Sequence, residues 1–244
     1  MLKALLKCLT LLGLATSLAG EACGRSLTVA VASNFHLPAQ HLATKFSELH
    51  GVDVELIAGA SGVLTTQIQQ GAPFDIFLAA DMAYPQLLFT QQLALRPEPY
   101  VQGLLVWWHP EQTTLPTRIS KVVIADPQVA PYGKAAQKVL QDIAPELGQV
   151  ILATNINHAF TLIDTGHAPV GLISLSHLRY AQIRFDLPKY SHFSRVPLPS
   201  QPTLLQGATI VATTDEGKLA RKFLKFIQAP AQQRYLQQMG YTAL

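Results

Sequence analysis

Charged residues are scarce in this chain: they make up 14% of its 244 residues, and the formal net charge is only +3. No run of lysine or arginine occurs, so the basic footprint of a nucleic-acid binder is missing. Cysteine is scarcer still. Of the two present, Cys8 lies in an N-terminal apolar stretch and Cys23 just beyond it, so an internal disulfide framework is excluded once that stretch is removed. Low-complexity tracts and internal repeats are absent, which leaves no sign of a repeat array. Beyond the N-terminal stretch no segment approaches the ~20 apolar residues that a membrane-spanning helix needs. The 49% apolar fraction instead suits a compact globular protein with one large or two medium domains.

The N-terminus has the pattern of an export signal. Lys3 and Lys7 flank a short n-region, residues 5–18 are apolar, and small residues (Ser17, Ala19, Gly20, Ala22) follow where a peptidase cuts. Residues 1–22 are therefore expected to be a signal peptide and the mature protein to be periplasmic. Lipid anchoring at Cys23 is not expected, because Gly20 stands three residues before it, where lipidation signals carry Leu.

After the signal, strand-like and helix-like segments alternate. Strands are expected at 27–32, 52–58, 74–80, 103–108, 121–125, 150–153, 170–174 and 207–212. Helices are expected to begin near Pro38 and to span 63–70, 84–92, 134–143, 157–165 and 216–228. Alternation of this kind predicts an α/β fold of mostly parallel sheets flanked by helices. One sheet of all these strands is less expected than two sheets in two lobes, with ligand in the cleft between them. The Pro-rich stretches 96–99 and 196–202 mark neighbourhoods where the chain crosses between lobes. That reading assigns residues 24–103 and 207–244 to lobe I and residues 104–206 to lobe II.

Four strand-to-helix turns are rich in neutral hydrogen-bond donors: Ser33-Asn34, Ser61-Gly62, Ala130-Pro131-Tyr132-Gly133 and Asn155-Ile156-Asn157. A helix start presents unpaired N–H groups and the positive end of its dipole, which accept an anion without a cationic side chain. Taken singly, each turn is also what an ordinary N-cap looks like. Eight histidines invite a metal reading, but His36/His41 and His158/His167 do not fall at i, i+3 or i+4 on one helical face, so no metal cation and no cofactor is expected.

Five motifs stand in order along the chain: VAVASNF at 29–35, GASG at 59–62, GAPFDIFLAAD at 71–81, IADPQVAPYG at 124–133 and NINHAF at 155–160. On these motifs the chain, from residue 27 to the C-terminus, resembles the ModA-type molybdate-binding proteins of ABC importers. The resemblance implies a two-lobed type II periplasmic-binding fold, a monomer that hands its anion to a membrane permease, and no enzyme activity. It also implies an oxyanion site made of Ser33, Asn34 and Ser61, with Tyr132 and Ile156 donating through their backbone N–H groups. One branch of the family adds a ligand tyrosine after a sheet strand. Here that position is Ser174, and the chain follows a second branch, with SNF and APYG turns, that lacks the tyrosine.

A donor-only pocket suits molybdate, tungstate or sulfate, which carry two charges and no proton at neutral pH. Phosphate keeps a proton that would be left unpaired there, at about 1–3 kcal/mol. Preference for molybdate over the alternative, sulfate, rests on the resemblance. Asp81 and Asp126, the nearest carboxylates in the matched motifs, would repel a dianion and are expected to cap turns instead. A rival reading as a hydrolase has little support, since the second glycine of Gly59-Ala60-Ser61-Gly62 falls one residue early for a nucleophile elbow. A regulator's anion sensor would need an attached DNA-binding or membrane element, and the export signal leaves no room for one.

Overall fold

The computed structural model describes residues 26–142, 146–197 and 199–244. The signal peptide expected at 1–22, with Cys8, and the thiol of Cys23 lie outside the described residues. The first run of elements is β1 (Ser26–Ala32), α1 (His36–His50), β2 (Asp53–Gly59), α2 (Ser61–Gln69), β3 (Ile76–Leu78), α3 (Ala83–Thr90) and β4 (Glu98–Gly103). There follow β5 (Leu105–Trp108), β6 (Arg118–Ala125), α4 (Pro131–Asp142), β7 (Glu146–Ala153), α5 (Ile156–Asp164), β8 (Val170–Ser174), α6 (Leu175–Phe185) and β9 (Phe193–Arg195). The chain closes with β10 (Leu204–Ile210), α7 (Gly217–Gln228) and α8 (Pro230–Gln238).

Two five-stranded sheets result, in the orders β2-β1-β3-β10-β4 and β7-β6-β8-β5-β9. Each is mixed, and both follow one plan. A central strand has a parallel neighbour on either side, β1 between β2 and β3, and β6 between β7 and β8. Antiparallel strands complete each sheet, β10 against β3 and β4 in the first, β5 against β8 and β9 in the second. The βα alternation predicts the parallel half. The antiparallel half arises because β5 and β10 each enter a sheet directly after the chain has crossed from the other one.

The crossings fall at Leu104, between β4 and β5, and in the segment between β9 and β10. The expected crossing near 96–99 is displaced, because β4 starts at Glu98 and stays in the first sheet. Pro99 is tolerated within it because β4 is an edge strand, where a missing N–H costs no ladder bond.

Strand periodicity divides the cores. In β1, Leu27, Val29 and Val31 face α1 and α7, packing with Leu42, Phe46, Phe223 and Ile227. Ala30, between them, faces the other way, with Phe77 of β3 and with Leu64, Ile68 and Leu88 of α2 and α3. The second sheet buries Trp107, Val122, Ile124 and Leu172 among α4, α5 and α6. Trp108 there stacks on Phe160, centroids 4.9 Å apart, and donates its indole N–H to the Lys189 carbonyl at 2.8 Å. Ala32, Ala60 and Ala80, from the ends of the first sheet, join this second core. The two halves are thus in contact across the cleft.

Four elements escape the sequence patterns, β4 (Glu98–Gly103) among them. Helix α6 follows β8 with no turn residue between them, α8 buries a single side chain, Leu236, and β9 is only 3 residues long. Among the described residues no helix is long and apolar enough to cross a membrane.

The start of α4 is pressed onto the end of β6. A Cβ on Gly133 would overlap the Ala125 carbonyl oxygen and lie 2.7 Å from its carbon. Backbone cannot swing aside as a side chain can. Gly133→Ala should therefore cost about 1–3 kcal/mol of overpacking, lowering Tm by about 2–10 °C in a chain of this size. Thermal melts followed by circular dichroism check this.

Candidate oxyanion site

The strands β1, β2, β3, β6 and β7 all end at the cleft, where the turns leading out of them converge. A small cavity, about 10 Å³ of space open to the centre of a water-sized sphere, is lined there by Ser33, Asn34, Ser61, Tyr132 and Ile156, together with Ala32, Gly59, Ala60, Ala80, Ala130 and Pro131. All five residues singled out from sequence meet at this one place, and no charged side chain is among the lining.

Each turn presents its donors for a separate local reason. Ser33 gives its N–H to the Gly59 carbonyl at 2.9 Å, so only its hydroxyl remains for the cavity. Ser61 opens α2, and its Oγ accepts the Ala80 N–H at 3.0 Å, which leaves the hydroxyl proton free to point inward. Tyr132 is the second residue of α4, behind Pro131, a residue well suited to a first helical position. Ile156 begins α5 behind Asn155, whose side chain caps the helix by accepting the His158 N–H at 3.0 Å. First-turn N–H groups have no acceptor within their own helix. Among the described residues those of Ser61, Tyr132 and Ile156 have none elsewhere either.

Asn34 acts differently from the reading its residue type suggests. Its side-chain amide is turned away from the cavity, donating to Gln206 Oε1 at 3.1 Å and to the Tyr241 hydroxyl at 3.2 Å. What it can offer the cavity is its backbone N–H. The carboxylates behave as expected from charge repulsion: Asp81 accepts from the Tyr84 N–H at 3.2 Å and Asp126 from the Gln128 N–H at 2.9 Å. Burial raises the pKa of Asp81. Ser174 is absent from the lining, its Oγ lying 2.5 Å from His177 Nδ1.

Direct bonds hold the two halves together around the cavity. The Gly62 N–H donates to the Val129 carbonyl at 2.8 Å, and the Tyr84 hydroxyl to the Gln128 carbonyl at 3.3 Å. On another side, the Ser176 hydroxyl lies 3.1 Å from the Asn34 carbonyl. None of these contacts was legible in the sequence, because each joins residues of opposite sheets through irregular backbone.

A family model described as bacterial extracellular solute-binding protein matches residues 27–242. The chain belongs to this family. Among relatives of this solute-binding protein, the molybdate-binding protein ModA of Rhodobacter capsulatus is 32% identical over 249 residues, covering 96% of this chain and 94% of the relative. ModA of Azotobacter vinelandii is 28% identical, covering 92% of each chain. The solved Azotobacter vinelandii periplasmic molybdate-binding protein superposes with a TM-score of 0.78 at 25% identity, covering 89% of this chain and 99% of that one. The fold is the two-lobed type II periplasmic-binding fold. Among the described residues no group of three or more His, Cys, Asp or Glu is placed to hold a metal ion.

Gly62 is where closure is most exposed to steric test. A Cβ there would sit 2.6 Å from the Tyr84 hydroxyl and 3.0 Å from the Val129 carbonyl oxygen on the facing half. Gly62→Ala should hold the rim apart and weaken anion binding by about tenfold or more, the loss of one good hydrogen bond with its strain. The melting temperature without anion should be nearly unchanged. Calorimetry and small-angle scattering with and without anion measure both effects.

His177 supplies a pH dependence of stability. Burial, with His36 nearby adding to it, lowers its pKa to about 4, against about 6.5 in an unfolded chain. The folded state thus holds a neutral imidazole that the unfolded state protonates first. Its contribution is complete above about pH 6.5 and is lost as pH falls toward about 4. Urea titrations at several pH values should show this decline, and His177→Gln should flatten it.

Proposed function

We propose that this chain is the extracytoplasmic substrate-binding protein of an ABC importer, and that it binds molybdate, and tungstate with it, for delivery to a membrane permease. The observation that carries this reading is a small cavity without charged side chains, toward which helix starts of both halves and the hydroxyls of Ser33 and Ser61 present donors. Such a cavity favours a fully deprotonated tetrahedral dianion. A protonated oxyanion would leave its own hydrogen without an acceptor, and a cation would meet the positive ends of three helices.

Ser33, Asn34, Ser61, Tyr132 and Ile156 hold the anion in this reading. The serines act through their hydroxyls, the other three through backbone N–H groups. The names of the Rhodobacter and Azotobacter relatives support molybdate as the cargo. A binding role rather than turnover is supported by the lining, in which Ser61 has no histidine or carboxylate beside it. The export pattern of residues 1–22 and the periplasmic origin of the solved relative support action outside the cytoplasm. The chain divides functionally into residues 24–103 with 207–244 on one side of the anion and 104–206 on the other.

Titration calorimetry of the mature protein with molybdate, tungstate, sulfate and phosphate tests the assignment. Molybdate and tungstate should bind tightly, sulfate more weakly and phosphate least; tight phosphate binding with no molybdate binding would overturn the reading. Ser33→Ala and Ser61→Ala each remove a donor to a charged ligand, a bond worth about 1.5–3 kcal/mol. Each should raise Kd by about ten- to a hundredfold.

A further inference from the structure

We infer that Gln206, outside the cavity, is a positioning residue that couples the two halves of the oxyanion site through Asn34 and Tyr132. The inference rests on the anion-binding reading above. Gln206 is fully buried on β10. Its Oε1 accepts from the Tyr100 hydroxyl at 2.9 Å and from Asn34 Nδ2 at 3.1 Å. Its Nε2 lies 3.4 Å from the Tyr132 hydroxyl, across the boundary between the two sheets. One side chain thus touches a donor residue of the first turn and a donor residue of the third.

The backbone around it is shaped for this meeting. Strand β10 shifts register against β4 between Gln206 and Gly207, and a bulge of that kind re-aims a side chain. Facing it, Gly103 leaves the space in which the amide and the phenol meet. A Cβ at Gly103 would lie 2.6 Å from Gln206 Nε2 and would overlap the Tyr132 hydroxyl.

Asn34 is gripped from its other end as well. Its carbonyl accepts from the Tyr241 hydroxyl at 2.7 Å and lies 3.1 Å from the Ser176 hydroxyl, and Tyr241 also receives an Asn34 amide proton. With side chain and carbonyl both held, the remaining backbone N–H is fixed in direction before any anion arrives. A pre-oriented donor loses little freedom on binding.

The chemistry asks for an amide. The position needs an acceptor for two donors and a donor of its own, which glutamine has and an ionised glutamate lacks. A carboxylate would also place negative charge behind a site for a dianion. Burial keeps the neighbouring tyrosines, Tyr100, Tyr132 and Tyr241, in their neutral, protonated form.

The test is a double-mutant cycle read by molybdate calorimetry. Gln206→Met should raise Kd by about tenfold or more and Tyr132→Phe by only a few-fold, with the double variant no weaker than Gln206→Met alone. Gln206→Glu should bind weakly at about pH 8.5 and recover toward about pH 6.5 as its buried carboxyl takes up a proton, while wild type stays flat over that window. Gln206→Met within twofold of wild type, or losses that simply add, overturns the coupling. So does a glutamate variant as tight as wild type at high pH, or equally weak at every pH; this variant replaces Met in the cycle if Met does not fold. A wild-type protein that binds none of the four oxyanions sinks the anion reading itself, a result distinct from all of these.

Discussion

The site depends on one property of the α-helix: the first N–H groups have nowhere to donate within the helix. In most proteins water or a capping side chain meets them. Here the helices α2, α4 and α5 begin at the same cleft, with the turn ahead of α1 beside them. Their free N–H groups share one small cavity, and in the proposed reading an anion is the partner that would satisfy them together. The parallel halves of the two sheets make this arrangement possible, since parallel strands all deliver their helix starts to the same edge.

The absence of charge at the site follows from the same physics. A lysine or arginine in so small a cavity would need its own counter-charge whenever the site stood empty. Neutral donors cost much less to leave waiting, and oriented dipoles still stabilise a charge when it comes. Nearby carboxylates are spent on turns, and the side chains that bond to Asn34 behind the wall are an amide and two hydroxyls. In the proposed reading the site is therefore electrostatically quiet when empty and attractive to a ligand that accepts from every side.

The parallel strands and the helices between them were legible because each follows a periodicity confined to a few neighbouring residues. Val29 and Val31 alternate with Ala30, and helices are expected over 134–143 and 157–165, although α4 begins earlier, at Pro131. The site turns were legible for a related reason, since their motifs are short and contiguous. Gln206, Tyr241 and Ser176 were not, although they orient Asn34. Nothing local marks a glutamine in a strand or a tyrosine near the C-terminus as polar partners of a turn 142 to 207 residues away. The antiparallel strands were harder to read for the same reason, because their pairing is set by where the chain returns.

By itself, then, the sequence determined the parallel strands and most of the helices, and which turns carry neutral donors, because those properties reside in local backbone preference. Only the tertiary structure decided that Asn34 turns its amide away from the cavity, that Ser174 belongs to a buried cluster with His177, and that Gly62 bonds to the opposite half. These are outcomes of competition among partners brought together by folding. A polar group commits to whichever neighbour best satisfies it once water is gone, and that neighbour is chosen by packing.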